Sequence, residues 1–186
     1  MRVISGKARG TKLYTLDGES TRPTLDRVKE ALFSKIQMSL EDANVLDLFS
    51  GSGALGIESL SRGAKFAVFC DNSREAAMIV EKNLEKTRFQ DVSKIYVTKF
   101  EIALEKLKLE KIKFDVVFLD PPYKTDYIKI ALERIMEYDL LNRDAIVVLE
   151  TDEQDRIINQ IENIDLDIYD IKKYGRVSLI FMERKG

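Results

Sequence analysis

The sequence predicts an α/β protein: a doubly wound, mostly parallel seven-stranded sheet with an antiparallel last strand, preceded by a small hairpin-plus-helix extension. Three observations predict it. From Asn44 onward, strand-like and helix-like segments alternate, the pattern of a parallel sheet covered by helices on both faces. The run Phe114-Asp115-Val116-Val117-Phe118-Leu119 reads as a buried parallel strand and stops abruptly at Asp120-Pro121-Pro122-Tyr123. Two β-rich runs, 167–173 and 176–182, close the chain with little more than Tyr174-Gly175 between them, the spacing of a tight hairpin.

The elements follow in order. Residues 1–16 alternate weakly around Gly6 and Gly10, which predicts a short hairpin of 2–5 with 11–15. Asp17-Gly18-Glu19-Ser20 is turn chemistry, and Pro23 opens a helix whose apolar positions Leu25, Val28, Leu32 and Ile36 keep the helical period. Strands are predicted at 44–49, 65–70, 93–98, 114–120 and 145–150, with helices at 54–62, 73–86, 100–108, 126–137 and 152–161. The 186 residues suit a single domain, 1–40 forming the hairpin-and-helix extension and 41–186 the α/β core.

Composition excludes several chemistries. Histidine is absent, which removes imidazole acid–base catalysis and every His/Cys zinc site, so no metal is expected. The lone Cys70 lies within Phe66-Ala67-Val68-Phe69-Cys70 and reads as a small buried side chain; one cysteine makes no internal disulfide, which fits a reducing cytoplasm. No stretch is long and apolar enough to span a membrane, and no signal-peptide pattern opens the chain. A monomer is expected. The net charge is −2, yet Arg2, Lys7, Arg9 and Lys12 have no acidic neighbour in residues 1–16, and Arg22, Arg27 and Lys29 follow. That is either a phosphate-contacting arm on an acidic body or an ordinary solvated surface.

Two constellations carry chemistry. In Asp120-Pro121-Pro122-Tyr123, each proline fixes φ and removes a donor, so the chain ends rigidly at the carboxyl edge of the sheet, where ligands of open α/β folds bind. A carboxylate and bare carbonyls beside a ring suit a planar base with an exocyclic amine: Asp120 and the Pro121 carbonyl accept its two N–H bonds and Tyr123 stacks on it. The second runs Val45-Leu46-Asp47-Leu48-Phe49-Ser50-Gly51-Ser52-Gly53-Ala54-Leu55-Gly56, a strand entering a glycine turn that opens a helix. Asp71 follows at the distance of a ribose-binding carboxylate. A dinucleotide would satisfy this pattern. Asp47, however, would repel a pyrophosphate and hold a cation, and the loop has no basic residue before Arg62, which favours S-adenosyl-L-methionine.

These motifs resemble class I amino-methyltransferases. Over nearly the whole chain the resemblance is to the bacterial small-subunit (16S) ribosomal RNA guanine-N2 methyltransferases. The specific part is amino-terminal: Arg2-Val3-Ile4-Ser5-Gly6, Arg9-Gly10, Thr21-Arg22-Pro23-Thr24, then Arg27, Glu30, Ala31, Leu32 and Phe33, with Asn83-Leu84 later. The resemblance implies a Rossmann-like methyltransferase fold, whose antiparallel last strand separates it from the all-parallel dehydrogenase version. It implies S-adenosyl-L-methionine as cofactor, 16S ribosomal RNA as partner, free or in an assembling subunit, and methylation of a guanine N2. The cofactor residues would be Asp47, Phe49, Gly51, Gly53, Asp71, Asn72 and Phe100; the catalytic ones Asp120, Pro121 and Tyr123; the RNA-contacting ones Arg9, Lys12, Arg22 and Tyr123. The family usually has Glu at the position of Asp71 and an acidic residue at Ser73 and after the third strand; here that last region is Lys99-Phe100-Glu101, where either Glu101 meets the adenine amine or Phe100 supplies packing and backbone. Rival readings are an adenine-N6 DNA methyltransferase, an NAD-dependent dehydrogenase and an inactive RNA-binding module.

Overall fold

In a computed structural model that describes residues 1–16, 23–122 and 125–185, seven strands form one sheet in the order β3-β2-β1-β4-β5-β7-β6. The strands are β1 (Asn44–Asp47), β2 (Phe66–Asp71), β3 (Ser93–Val97), β4 (Phe114–Leu119), β5 (Leu141–Thr151), β6 (Leu166–Tyr174) and β7 (Val177–Arg184). Pairings from β3 to β5 are parallel. β7 pairs antiparallel with both β5 and β6, so the expected closing hairpin is present and β6, not the last strand, forms the sheet edge.

Helices cover both faces because strand residues alternate between them. Val45, Phe69, Val116, Phe118 and Val148 pack with α1 (Pro23–Ile36), α2 (Ala54–Ser61) and α3 (Arg74–Thr87). Leu46, Val68, Val117, Leu119 and Leu149 pack with α4 (Phe100–Glu110), α5 (Tyr127–Glu137) and α6 (Gln154–Ile161). The stripe expected on α1 is buried at Val28, Leu32 and Ile36, joined by Phe33; the Leu25 side chain lies outside the described set. The order reverses between β1 and β4: β1 leads outward to β2 and β3, and β4 outward to β5. At that reversal the strand ends leave a crevice.

Two expectations are corrected. β5 begins at Leu141 rather than 145, because Leu141 pairs with Phe114 across a register shift. The polar Asn142-Arg143-Asp144 hid it; Asn142 donates to the Asp115 carboxylate at 2.6 Å there. The amino-terminal hairpin is reduced to one antiparallel bridge, Arg2 with Lys12. Gly6 and Gly10 sit at φ 82° and 83°, and the Ile4 and Ser5 N–H groups turn away to the Glu58 carboxylate at 2.8 and 3.0 Å. A Cβ at Gly6 would lie 1.7 Å from the Ser61 carbonyl oxygen, so only glycine allows this approach.

The arm is therefore moored to the body. Val3 and Leu13 are buried in the core, and Glu58, itself fully buried, also takes Lys29 Nζ at 3.2 Å and Arg62 Nε at 2.8 Å. Lys29, grouped with the basic arm from sequence, instead donates to the Arg2 carbonyl at 2.6 Å inside the protein, and burial pushes its ammonium below the ordinary value despite Glu58. Arg2, expected without an acidic partner, meets Asp26 at 3.5 Å.

Candidate active site

The glycine turn is built from the end of β1. Gly51 and Gly53 adopt φ 50° and 78°, and Gly53 caps α2, whose Gly56 N–H donates to the Asp47 carboxylate. Gly56 lets α2 lie against β2: a Cβ there would be 2.3 Å from the Phe69 ring. Asn83 of α3 is fully buried and holds the turn from behind. Its Nδ2 donates to the Ser52 and Tyr14 carbonyls, both at 2.9 Å, and its Oδ1 accepts from Tyr14 N–H at 2.7 Å. That work explains the Asn83 of the sequence resemblance.

Three carboxylates stand at successive strand ends. Asp71 closes β2; it accepts from Gly51 N–H at 3.0 Å and Ser73 N–H at 2.9 Å, which ties the second strand to the glycine turn. Asp47 closes β1 and is buried, accepting from Gly56 N–H at 3.0 Å. Burial pushes its carboxyl up to about 7, against that hydrogen bond and with help from the nearby Asp71 charge. Asp120 follows β4.

Two hollows flank the switch point. The larger, about 420 Å³, is lined by Phe49, Gly51, Asp71, Asn72, Phe100, Asp120 and Pro121 among the expected residues. The smaller, about 140 Å³, lies toward α1 and is lined by Asp47, Ser52, Met1 and Glu150, sharing Phe49, Gly51 and Asp120 with the first. Asp120 thus belongs to the wall between them. Gly53 lines neither and serves the turn; Arg9 and Lys12 are exposed and line neither. Tyr123 and Arg22 lie outside the described residues.

Several site residues escaped sequence reasoning. Tyr127, at the start of α5, stacks parallel to Phe49 with centroids 6.3 Å apart and meets Phe100 at 5.1 Å, while Phe49 and Phe100 meet at 5.2 Å. This aromatic wall comes from three elements, and no local motif announces it. Thr98 joins the lining, as do both Lys99 and Glu101, so the acidic group expected after the third strand does reach the larger hollow. Glu150, in a plain strand, carried no signal beyond its place near the end of β5. Among the described residues no group of His, Cys, Asp and Glu could hold a metal ion, and no helix is long and apolar enough to cross a membrane.

S-adenosylmethionine fits these residues. The hollow has the volume of a small-molecule site. Asp71 at one side suits ribose hydroxyls, the aromatic wall suits the adenine ring, and the buried carboxyl of Asp47, in the smaller hollow that shares Phe49 and Gly51, suits an ammonium that would favour its charged form. The fold and site define a class I S-adenosylmethionine-dependent methyltransferase. The chain belongs to the family described as Conserved hypothetical protein 95, whose model matches residues 1–183. It is 37% identical to YlbH of Bacillus subtilis over the full length of both. It is 35% identical to Ribosomal RNA small subunit methyltransferase D of Haemophilus influenzae, covering 85% of this chain and 82% of that protein. The solved structure of yhhF from Escherichia coli superposes with a TM-score of 0.83 at 26% identity, covering 100% of this chain and 98% of that one.

Proposed function

We propose that this methyltransferase transfers a methyl group to the exocyclic N2 amine of a guanine in small-subunit (16S) ribosomal RNA. The observation that carries the reading is the position of Asp120, in the wall shared by the cofactor hollow and the smaller hollow beside it, with Pro121 next to it lining the cofactor hollow. Relatives named ribosomal RNA small subunit methyltransferase D supply the substrate class.

Bound S-adenosylmethionine supplies the electrophilic methyl group. The protein's own task is to make a poor nucleophile attack, because the lone pair of the guanine amine is delocalised into the ring. Asp120 and the Pro121 carbonyl accept the two N2–H bonds and fix the nitrogen in its reactive orientation. As positive charge builds on N2 the fixed carboxylate stabilises it, and the surplus proton leaves the nitrogen along the same hydrogen bond. Tyr123 stacks on the base. A guanine in structured RNA must leave its stack, at a cost of a few kcal/mol. Exposed Arg9 and Lys12, with Arg22, offset that cost through phosphate contacts. The enzyme acts as a cytoplasmic monomer on this reading.

The test is incubation with labelled methyl donor and, separately, unmodified 16S RNA, assembled small subunits and duplex DNA, followed by nucleoside analysis. N2-methylguanosine from RNA supports the reading; N6-methyladenosine or label only in DNA defeats it.

A further inference from the structure

The smaller hollow holds a residue that the proposed reaction has not used. Glu150, next to last in β5, lines it beside Asp120 and Asp47. β4 and β5 run parallel with Leu119 opposite Leu149, so Asp120 and Glu150 follow as neighbours on adjacent strand ends. Both lie two residues past an opposed pair, Phe118 with Val148, whose side chains bury on the α1 face, so both turn toward that face. Adjacent strands are about 4.8 Å apart, which sets the two carboxylates side by side along the sheet edge.

Sheet order decides which ligand each can meet. The cofactor residues Asp71 and Gly51 belong to β2 and the turn after β1; Asp120 follows β4, and Glu150 lies one strand further out. Glu150 therefore stands on the far side of Asp120 from Asp71, in a hollow that the glycine turn also borders. It is only partly exposed, and among the described residues no hydrogen bond or opposite charge acts on its carboxylate. Burial raises its pKa. A largely desolvated carboxylate without donors is unfavourable in the free protein, and a ligand offering N–H groups relieves it.

We infer that Glu150 is a specificity-determining residue that reads the flipped base as guanine by accepting the hydrogen bond of its N1–H, beside the N2 amine held by Asp120. This rests on the guanine-N2 reading above. Guanine presents N1–H and the N2 amine as adjacent donors. The Glu150 carboxylate accepts N1–H, while Asp120 and the Pro121 carbonyl keep the two N2–H bonds. Adenine places a lone pair at N1, which a carboxylate repels, so the same group that holds guanine rejects adenine. Of the hollow's other charged groups, Lys29 is engaged by Glu58, and Asp47, at the end of β1, stands on the cofactor side.

The experiment compares wild type, Glu150→Gln and Glu150→Ala on unmodified small-subunit RNA at saturating cofactor, with the product nucleoside identified in every run. Cofactor affinity and thermal stability are measured in parallel. The expected result is a 10- to 100-fold fall in kcat/KM for RNA, about the worth of one hydrogen bond to a charged group. Cofactor affinity should stay within about twofold, and the melting temperature of Glu150→Gln should hold or rise, because an unpaired carboxylate has been removed. A merely structural glutamate would lower the melting temperature. Wild-type kinetics in both variants overturn the proposal. So does a parallel loss of cofactor affinity, which would move Glu150 to the cofactor side. If wild type itself yields no N2-methylguanosine, the reaction assigned above fails and this inference falls with it, an outcome distinct from a defect confined to the variants.

Discussion

Replacing Asp47 with Asn should make the protein more stable and its cofactor affinity weaker. The folded Asp47 carboxyl titrates at about 7, whereas in the unfolded chain it returns to its ordinary 3.8. Below pH 4 both states hold the proton. Between about 4 and 7 the unfolded chain has released it and the folded protein has not, so wild-type stability falls as pH rises through that window and then levels. About three pH units at 1.36 kcal/mol each give a ceiling of about 4 kcal/mol. Asn is neutral, and its carbonyl can still accept from Gly56 N–H, so it escapes the penalty. Allowing for relaxation and water entry, a gain of about 1–3 kcal/mol at pH 8 is expected, or about 2–12 °C in Tm. At pH 4 the two proteins should melt together. Holding the cofactor's ammonium requires the ionised carboxylate, so wild-type affinity should rise through pH 7, and Asp47→Asn should lose about 1.5–3 kcal/mol of it. Melting curves at pH 4 and 8, with cofactor titrations at pH 6 and 8, read all of this. An Asn variant that melts lower at pH 8 than wild type refutes the reasoning.

Glu58→Ala should be severe, because it leaves buried Lys29 without its carboxylate and strips acceptors from Ile4 and Ser5; a loss of about 3–5 kcal/mol lowers Tm by about 6–20 °C, and a shift under 2 °C would dismiss the mooring role. Asp71→Ala should weaken cofactor binding by about 1.5–3 kcal/mol, measured by calorimetry against S-adenosylmethionine and NAD; preferential NAD binding by the wild type would contradict the cofactor assignment. The double change Arg9→Gln with Lys12→Gln should lower the salt slope of RNA binding by about 0.7–0.9 per lost phosphate contact and leave Tm unchanged, since both side chains are exposed. An unaltered slope would remove the arm from the RNA interface.

The local signals in this chain were strong where one segment makes the site. The glycine turn, the strand ending in Asp120-Pro121-Pro122 and the closing hairpin each follow from a few adjacent residues, and the structure places them as expected. What stayed hidden is assembled across elements. Nothing near Glu58 in sequence announces that four separate groups converge on it, since Ile4, Ser5 and Lys29 arrive from far away. The Phe49–Phe100–Tyr127 wall has the same origin. Glu150 looked like an ordinary polar residue ending a strand until the β4–β5 register set it beside Asp120. The mooring of the basic arm was hidden in another way: its charges were visible, but the buried Val3 and Leu13 that dock it were too few to show a pattern.

The most direct measurement of the central claim is single-turnover methyl transfer to unmodified small-subunit RNA by wild type and Asp120→Ala, with the methylated nucleoside identified by mass spectrometry. Asp120 loses one fixed electrostatic contact with the developing charge, so the rate should fall about 10²- to 10³-fold while cofactor affinity changes little. The wild-type product should be N2-methylguanosine. An Asp120→Ala enzyme that transfers methyl groups at the wild-type rate, or a wild-type product methylated at any other atom, would contradict the account.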